Sequence, residues 1–182
     1  EIAAETILKD LKQEEEGQQS EGQDSKEQLE KLAQAVDQEY ESCFAEKKSF
    51  FGTEQIEEAM QKVMDQYAGG IGTHYQFNEK QLAMAEEKIK KLQILAKGLA
   101  AADMHELMFI YELKERLTVC LTVIAHLRAR KETRWHSFAE NLDYPEKSDA
   151  WLCYVNSKKN GDQITMIRRD LVKGGETYEH RD

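Results

Sequence analysis

The chain has 182 residues, of which 33% are charged and 40% hydrophobic, and it contains a single proline. This composition is typical of a soluble, helix-rich protein of one domain, or of one domain plus a tail, and argues against an all-β fold. The net charge of −10 is concentrated in residues 1–50, which carry −8. Because phosphate binding needs a basic surface, we predict no nucleic-acid partner.

The cysteines and the apolar runs indicate the cellular compartment of the protein. The three cysteines are far apart, and none belongs to a CxxC pair. Neither a disulfide framework nor a zinc site is therefore indicated, and all three are assigned structural roles in a reducing cytoplasm. The longest apolar run, 117–125, is far shorter than the ~20 residues that a membrane span needs. The N-terminus lacks a signal pattern, so we predict a cytoplasmic protein without a membrane span.

The N-terminal part predicts a short helix, a linker and a longer helix. Residues 1–12 are good helix formers that begin without a methionine, which suggests a piece of a longer protein or a mature fragment. Residues 13–25 lack an apolar anchor, so we predict a flexible acidic linker. Residues 26–52 predict an additional helix, from about residue 26 to 47 and capped by Ser25. Its apolar residues recur at helical steps: Leu29, Leu32, Ala33, Val36, Tyr40 and Cys43.

Residues 53–132 carry three further helical patterns and predict an antiparallel three-helix bundle. Thr53 is the expected N-cap of the first helix, which ends at Gly69-Gly70 because glycine favours helix termination. Asn78 is the expected cap of the second helix. The apolar residues of that helix alternate in steps of three and four, which indicates a packing seam against other helices.

The last helix of the bundle is expected to be the longest, from a cap at Asp103 to about Lys131. Its stretch 117–125 is apolar on most of its circumference. A helix of this kind is usually central, so we expect it to be covered on several sides.

After the bundle, residues 133–172 predict an extended tail that contains a β-hairpin. The segments 151–155 and 163–167 are rich in β-branched and aromatic residues and flank the turn signal Asn160-Gly161. The Gly- and charge-rich residues 173–182 are expected to fray. The predicted fold class is therefore mainly α: an antiparallel three-helix bundle with additional N-terminal helices and a small C-terminal β-hairpin tail.

The residue patterns of self-contained catalytic sites are incomplete in this sequence. His105 begins an HExxH pattern, but Phe109 stands where the second histidine must be. None of the five histidines follows a glutamate by three residues, as a di-iron bundle requires. Cys120 and His126 lie roughly 240° apart around one helix. We therefore predict no catalytic, cofactor-binding or metal-binding residue in this chain.

The end of the long helix and the tail contain the clearest functional signal, an arginine cluster followed by two tryptophans. Arginines at this density could bind a carboxylate or sulfate, dock onto another domain, or offset the helix dipole, and Glu132 could pair with them internally. We favour docking or structural pairing over substrate contact. The tryptophans are expected to anchor the tail. The domain-docking candidates are Arg128, Arg130, Arg134, Trp135 and Trp151.

Several ordered segments resemble one protein family, the fumarate reductase/succinate dehydrogenase flavoproteins, and within it the C-terminal helical domain of the adenylylsulfate reductase alpha subunit. The resemblance covers at least Met60 to Val172. Residues 1–7 resemble the start of the helix that follows the flavin-contacting segment. The matching segments are 60–70 with its double-glycine end, the helices 77–98 and 103–131, the ExR segment 131–135, and the tail segment 151–158.

The resemblance implies that the chain is the C-terminal helical domain of an FAD-dependent oxidoreductase, inactive alone. Residues 1–12 would be the end of the preceding flavin-domain helix. FAD would belong to the parent protein, and the implied partners are its N-terminal flavin domain and an iron–sulfur electron-transfer subunit. The acidic residues 13–50 and the sequence 136–138 depart from the family, which leaves open a divergent reductase for a fumarate-like acid. The alternative is a stand-alone helical interaction module descended from that domain.

Overall fold

The computed structural model describes residues 26–44, 50–161 and 163–172. The helices are α1 (26–43), α2 (Thr53–Tyr67), α3 (Glu79–Ala96) and α4 (Met104–Ala129). The strands are β1 (Gln76–Phe77), β2 (Glu140–Asn141), β3 (Cys153–Asn160) and β4 (Gln163–Asp170). The predicted fold class, a mainly helical bundle with a small C-terminal hairpin, is confirmed.

Helix α1 belongs to a compact unit of its own, and all later elements belong to a second unit. Within α1, Cys43 is buried, whereas Leu29, Leu32 and Val36 are exposed. The predictions for residues 1–25, including Ser25 as a cap, and for residues 173–182 lie outside the described residues.

Helix α2 starts one residue earlier than the sequence predicted. Gly52, not Thr53, is the N-cap, and Thr53 is already the first helical residue. Gly52 has extended backbone angles, and its N–H donates to Gln55 Oε1 at 2.9 Å. Gln55 therefore supplies one half of a capping box, the bond to the N-cap amide, and the other half is missing because Gly52 has no side chain.

The end of α2 depends on glycine, as predicted. Gly69 has a φ of 76°, in the left-handed region that glycine adopts without a steric penalty. The next residue, Gly70, lies so close to Asp65 that a Cβ atom there would overlap with the Asp65 backbone. Asp65 Oδ1 then accepts a hydrogen bond from Gly72 N at 2.9 Å and holds the turn that leads to β1.

The predicted caps of the next two helices are confirmed. Asn78 Oδ1 accepts a hydrogen bond from Gln81 N, and Gln81 Oε1 accepts one from Asn78 N, which forms a reciprocal capping box. Asp103 Oδ1 accepts hydrogen bonds at 2.9 Å from the backbone N–H groups of His105 and Glu106.

The Asp103 cap gives a first testable prediction. Asp103→Ala should lower the free energy of unfolding by about 1 kcal/mol, because two amides at the start of α4 lose their acceptor. Urea unfolding of the two proteins measures this difference. The matched control is Asp103→Asn, which keeps a capping oxygen and should cost only a fraction of that amount; an equal cost for both variants would contradict the capping role.

The core lies where α3 packs against α2 and α4. Apolar side chains at three- and four-residue steps fill this space, which confirms the packing seam predicted for α3. The buried residues of these helices are Ile56 and Met60 from α2, Leu82, Ala85, Ile89 and Ala96 from α3, and Leu107, Ile110, Leu113, Leu117 and Ile124 from α4.

Helix α4 is covered by α2, α3 and the hairpin but keeps one exposed side, so the expectation of cover on several sides is confirmed only in part for the described residues. Leu117 and Ile124 are buried, but Val119 is 60% and Val123 is 41% exposed. The elements that contact α4, namely α2, α3, β3 and β4, leave these two valines uncovered. The helix ends at Ala129, two residues before the predicted end, because Arg130 turns into extended backbone.

The tail takes part in two strand pairs, and one of them joins it to the segment between α2 and α3. β1 and β2 form a parallel pair of two residues each, with Gln76 opposite Glu140. β3 and β4 form an antiparallel hairpin, and Gly161 has a φ of 58° in its turn, as the turn signal predicted. The sequence pattern placed the start of the first hairpin strand at Trp151, but β3 starts at Cys153 because residues 149–151 form a short 3₁₀ turn. Among the described helices, none is long and apolar enough to cross a membrane.

Candidate domain-docking site

A buried carboxylate organises the chain immediately after α4. The Glu132 side chain is inaccessible to solvent and lies between Arg130 and Arg134. Arg130 Nη1 donates to Glu132 Oε1 at 2.6 Å, and Arg134 donates to the two carboxylate oxygens through Nε and Nη2, each at 2.9 Å. We call these three residues the arginine clamp. The internal pairing of Glu132 considered in the sequence is therefore present.

The arginine clamp also holds the tail through backbone atoms. Arg130 donates to the carbonyl oxygens of Trp151 at 2.9 Å and Cys153 at 3.2 Å. Arg134 donates to the Ser148 carbonyl oxygen at 3.2 Å, and Ser148 N donates to Glu132 at 3.0 Å. Since a guanidinium presents several donors in a rigid plane, each arginine can bind the carboxylate and the tail at once.

The loop between the clamp and the hairpin is fixed by a second buried residue, Thr133. Its hydroxyl donates to the Tyr144 carbonyl oxygen at 2.9 Å and accepts from Asn141 N at 2.9 Å. Thr133 N donates to the Glu146 carbonyl oxygen at 3.2 Å. This loop is therefore a folded part of the domain although it contains little regular structure.

The surroundings of Glu132 lower the pKa of its carboxyl from 4.5 to about 2. The main cause is the hydrogen bond from Arg134; the Ser148 amide and Arg130 act in the same direction, and burial opposes them. These partners favour the charged form, and their combined effect exceeds the cost of desolvation.

This pKa predicts acid sensitivity with a definite sign. The folded-state pKa lies below the unfolded value, so the stabilisation is complete above about pH 4.5 and is lost as the pH falls toward 2. The loss should be on the order of 3 kcal/mol. Urea unfolding between pH 6 and pH 2 measures it, with Glu132→Gln as the reference protein that lacks this group. Parallel pH profiles for the two proteins would contradict the prediction.

Arg128 is separated from the arginine clamp and has a different role. Its Nε donates to Glu79 Oε1 at 2.9 Å, and it also pairs with Glu86. Both carboxylates belong to α3, and their attraction raises the pKa of Arg128, with the Glu79 hydrogen bond as the main cause. Lys131 approaches Glu79 at 3.7 Å. Arg128 therefore ties the end of α4 to the beginning of α3 within the domain.

The two tryptophans also lie in different environments. The Trp151 ring is partly covered by two cations, with the guanidinium carbons of Arg168 at 4.4 Å and of Arg130 at 6.0 Å from its centroid. Trp151 is therefore a tail anchor, as expected. Trp135 is 67% exposed, so the expectation that it anchors the tail is wrong.

A groove of about 370 Å³ lies beside the arginine clamp. Side chains from α4, from the loop that contains Trp135 and from β3 form its walls. Its lining is more apolar than polar, and the exposed Val123 and Trp135 belong to it. The lining residues are Phe77, Thr122, Val123, His126, Leu127, Arg130, Glu132, Arg134, Trp135, Ala139 and Val155.

The described residues show no arrangement for metal or thiol chemistry. They contain no group of three or more His, Cys, Asp or Glu side chains that could hold a metal ion. Burial raises the pKa of the Cys120 thiol, which makes it a poor nucleophile at neutral pH.

Comparison with known proteins shows the family to which the chain belongs. The family described as the fumarate reductase flavoprotein C-terminal region matches residues 57–176, well over half of the chain. The chain belongs to this family. The resemblance inferred from the ordered motifs is thereby confirmed.

Members of the flavoprotein family with sequence similarity include adenylylsulfate reductase subunits. The alpha subunit from Megalodesulfovibrio gigas is 34% identical over 98 residues, which is 53% of this chain and 15% of that protein. The structure of adenylylsulfate reductase from Archaeoglobus fulgidus is 36% identical with a TM-score of 0.67, over 72% of this chain and 21% of that chain. This chain therefore spans about a fifth or less of the length of these relatives.

A fumarate reductase shares the fold of this family at lower identity. Quinol fumarate reductase from E. coli matches with a TM-score of 0.67 and 19% identity, over 82% of this chain and 26% of that chain. The similarity extends the shared helical architecture to a second branch of flavoproteins.

Within this flavoprotein C-terminal domain, sequence patterns missed two features of the site. Thr133 and Asn141 were not singled out, because their buried hydrogen bonds join positions eight residues apart in irregular backbone. The groove was missed because Phe77 and Val155 reach it from distant parts of the chain. The available signal was the apolar circumference of α4, which indicated that something should cover the helix.

Proposed function

We propose that this chain is the C-terminal helical domain of an FAD-dependent oxidoreductase subunit, similar to adenylylsulfate reductase or fumarate reductase. In this proposal the chain packs on the N-terminal flavin domain of the same protein and on a partner iron–sulfur subunit, in the cytoplasm, and is not catalytic alone. FAD would be held by the flavin domain. Arg128, Arg130 and Arg134 would act by shaping the docking surface, beside Trp135 and Trp151.

The observation that carries this proposal is the open apolar side of α4. Met104, Met108, Val119 and Val123 are exposed on this helix although the opposite side is fully packed. We call these four residues the α4 stripe. The stripe consists of two apolar pairs, 104/108 and 119/123, with the exposed Glu115 between them. Exposed apolar patches that are rimmed by polar residues mark contacts with another protein surface. The relatives extend far beyond the matched part, so a flavin domain in the same protein is the fitting occupant.

Thiol labelling at the α4 stripe tests the proposal. Val119→Cys is compared in the 182-residue chain and in the longer protein that also contains the flavin domain, by maleimide labelling read out by peptide mass spectrometry. We expect labelling of Cys at this position to be at least about tenfold slower in the longer protein, since a docked surface excludes the reagent. Thr165→Cys, on the exposed side of the hairpin, is the control for reagent access.

Two outcomes would overturn the proposal. Equal labelling rates at position 119 in both proteins would show that the stripe does not dock there. Turnover of an electron acceptor by the purified chain without any flavin domain would show that the chain is catalytic by itself.

A stand-alone helical interaction module remains the second candidate, favoured by the uneven charge. Residues 1–50 carry −8 of the net charge of −10, and the family match begins only at residue 57. A start codon near Glu1 in the gene would support this candidate, and an upstream frame with GxGxxG after a strand would support the flavoprotein.

A further inference from the structure

We infer that the groove beside the arginine clamp is a socket for one large apolar side chain of the flavin domain, accompanied by one polar group that hydrogen-bonds to His126. This inference rests on the proposed function and names what that domain must present at this point. It follows from the size of the groove, from its lining and from the partners of its polar walls.

The size and lining of the groove favour an apolar occupant. Its volume of about 370 Å³ is large enough for a bulky side chain together with a polar group. Phe77, Val123, Leu127 and Val155 offer water few hydrogen-bond partners. Displacing poorly bound water with an apolar side chain is favourable. A large aliphatic or aromatic side chain therefore fits this space better than solvent does.

The charged walls of the groove are already engaged within the domain. Arg130 and Arg134 bind Glu132 and the tail carbonyl oxygens. Thr122 donates its hydroxyl to the Thr118 carbonyl oxygen at 3.0 Å. A substrate anion would have to compete with the buried carboxylate for both arginines. The geometry therefore argues against an anion site, although arginines line the groove.

His126 differs from the other polar residues of the lining. In the described part of the chain, its imidazole has no hydrogen-bond or ion-pair partner, while its side chain is only partly exposed. Closing the groove would remove water from this ring, and a buried ring nitrogen without a partner is costly. The occupant should therefore bring one donor or acceptor to His126 beside its apolar side chain.

The position of the groove identifies the flavin domain as the source of the occupant. Val123 belongs both to the α4 stripe and to the lining of the groove, so the groove continues the surface proposed to dock. About four fifths of the length of the Archaeoglobus fulgidus relative lies outside the matched region, which provides ample chain to supply one side chain. An apolar lining is also typical of a permanent interface within one protein.

Labelling at the socket wall tests the inference in the same pair of proteins. Val155→Cys places a thiol in the groove wall, and Val119→Cys reports on the stripe outside the groove. In the longer protein we expect both thiols to label at least about tenfold more slowly than in the 182-residue chain. Adding His126→Phe, which keeps a ring but removes the hydrogen bond, should make the position 155 thiol label about fivefold faster. The position 119 thiol should then change much less.

The outcomes separate this inference from the proposed function. Protection at position 119 without protection at position 155 would leave the docking proposal intact and overturn the socket. Protection at neither position would overturn both. Protection at position 155 that is unaffected by His126→Phe would overturn the polar half of the inference. Thermal unfolding of each variant of the 182-residue chain identifies any that fails to fold. If His126→Phe fails, His126→Leu replaces it, because it also removes the hydrogen bond, and the same faster labelling is expected at position 155.

Discussion

Glu132→Gln should lower the free energy of unfolding of the domain by roughly 2–4 kcal/mol at pH 7. The substitution keeps the shape of the side chain but removes the charge that Arg130 and Arg134 share. One amide oxygen cannot accept all the hydrogen bonds that reach the carboxylate from the two arginines and from Ser148 N. The two arginines are partly exposed, so water can solvate them when the carboxylate is removed. The expected loss of stability is therefore smaller than for breaking a fully buried ion pair.

The matched control is Glu87→Gln, which removes a carboxylate of the same type from the surface of α3. Glu87 pairs with Lys91 at 2.6 Å, but both side chains are about two-thirds exposed. Exposed pairs at this helical spacing add little to stability, because water screens their attraction. Urea unfolding at pH 7 measures both variants, and equal losses would show that burial gives Glu132 no special importance.

Leu117→Ala should lower the free energy of unfolding by roughly 2–5 kcal/mol, because it leaves a cavity in the middle of the bundle. Leu117 is fully buried on the side of α4 that faces the other helices. Val119→Ala on the same helix should change the free energy of unfolding by no more than about 0.5 kcal/mol in the 182-residue chain, since most of this side chain is exposed to water. Thermal or urea unfolding of the two variants measures this difference between the buried and the exposed side of α4.

The same pair of substitutions behaves differently once the stripe is docked. In the longer protein, Val119→Ala should become costly while the effect of Leu117→Ala stays similar, because only the environment of Val119 changes. A Val119→Ala effect that is equally small in both proteins would contradict cover of the stripe by the flavin domain.

Local features of the fold were predictable from sequence where a few neighbouring residues determine them. The caps at Asn78 and Asp103 and the turn at Gly161 follow from side-chain oxygens or backbone freedom within three or four positions. The predicted N-cap of α2 was wrong by one residue. Thr53 has the preferred cap chemistry, but the helix begins one residue earlier, and Gln55 binds the backbone N–H of the N-cap Gly52.

Features that join distant segments were not predictable in this way. The arginine-rich sequence looked like one cluster, yet the structure directs Arg128 to α3 and Arg130 to the tail, because residues two apart point to different sides once the helix ends. Trp135 and Trp151 are equally apolar in sequence, but only Trp151 has a cation on its ring. The partner of each side chain depends on tertiary packing, which periodicity does not report.

The short parallel pair of β1 and β2 has a consequence for the order of folding. It joins Gln76 to Glu140, residues separated by 64 positions, through a ladder of only two residues per strand. So few contacts cannot offset the entropy of closing a loop of that length in an unstructured chain. The helices between the two strands must first shorten the distance by packing together, and their local contacts can form early. The tail, with its groove wall and clamp, should therefore be the last part of the domain to become protected in a refolding experiment followed by pulsed hydrogen exchange.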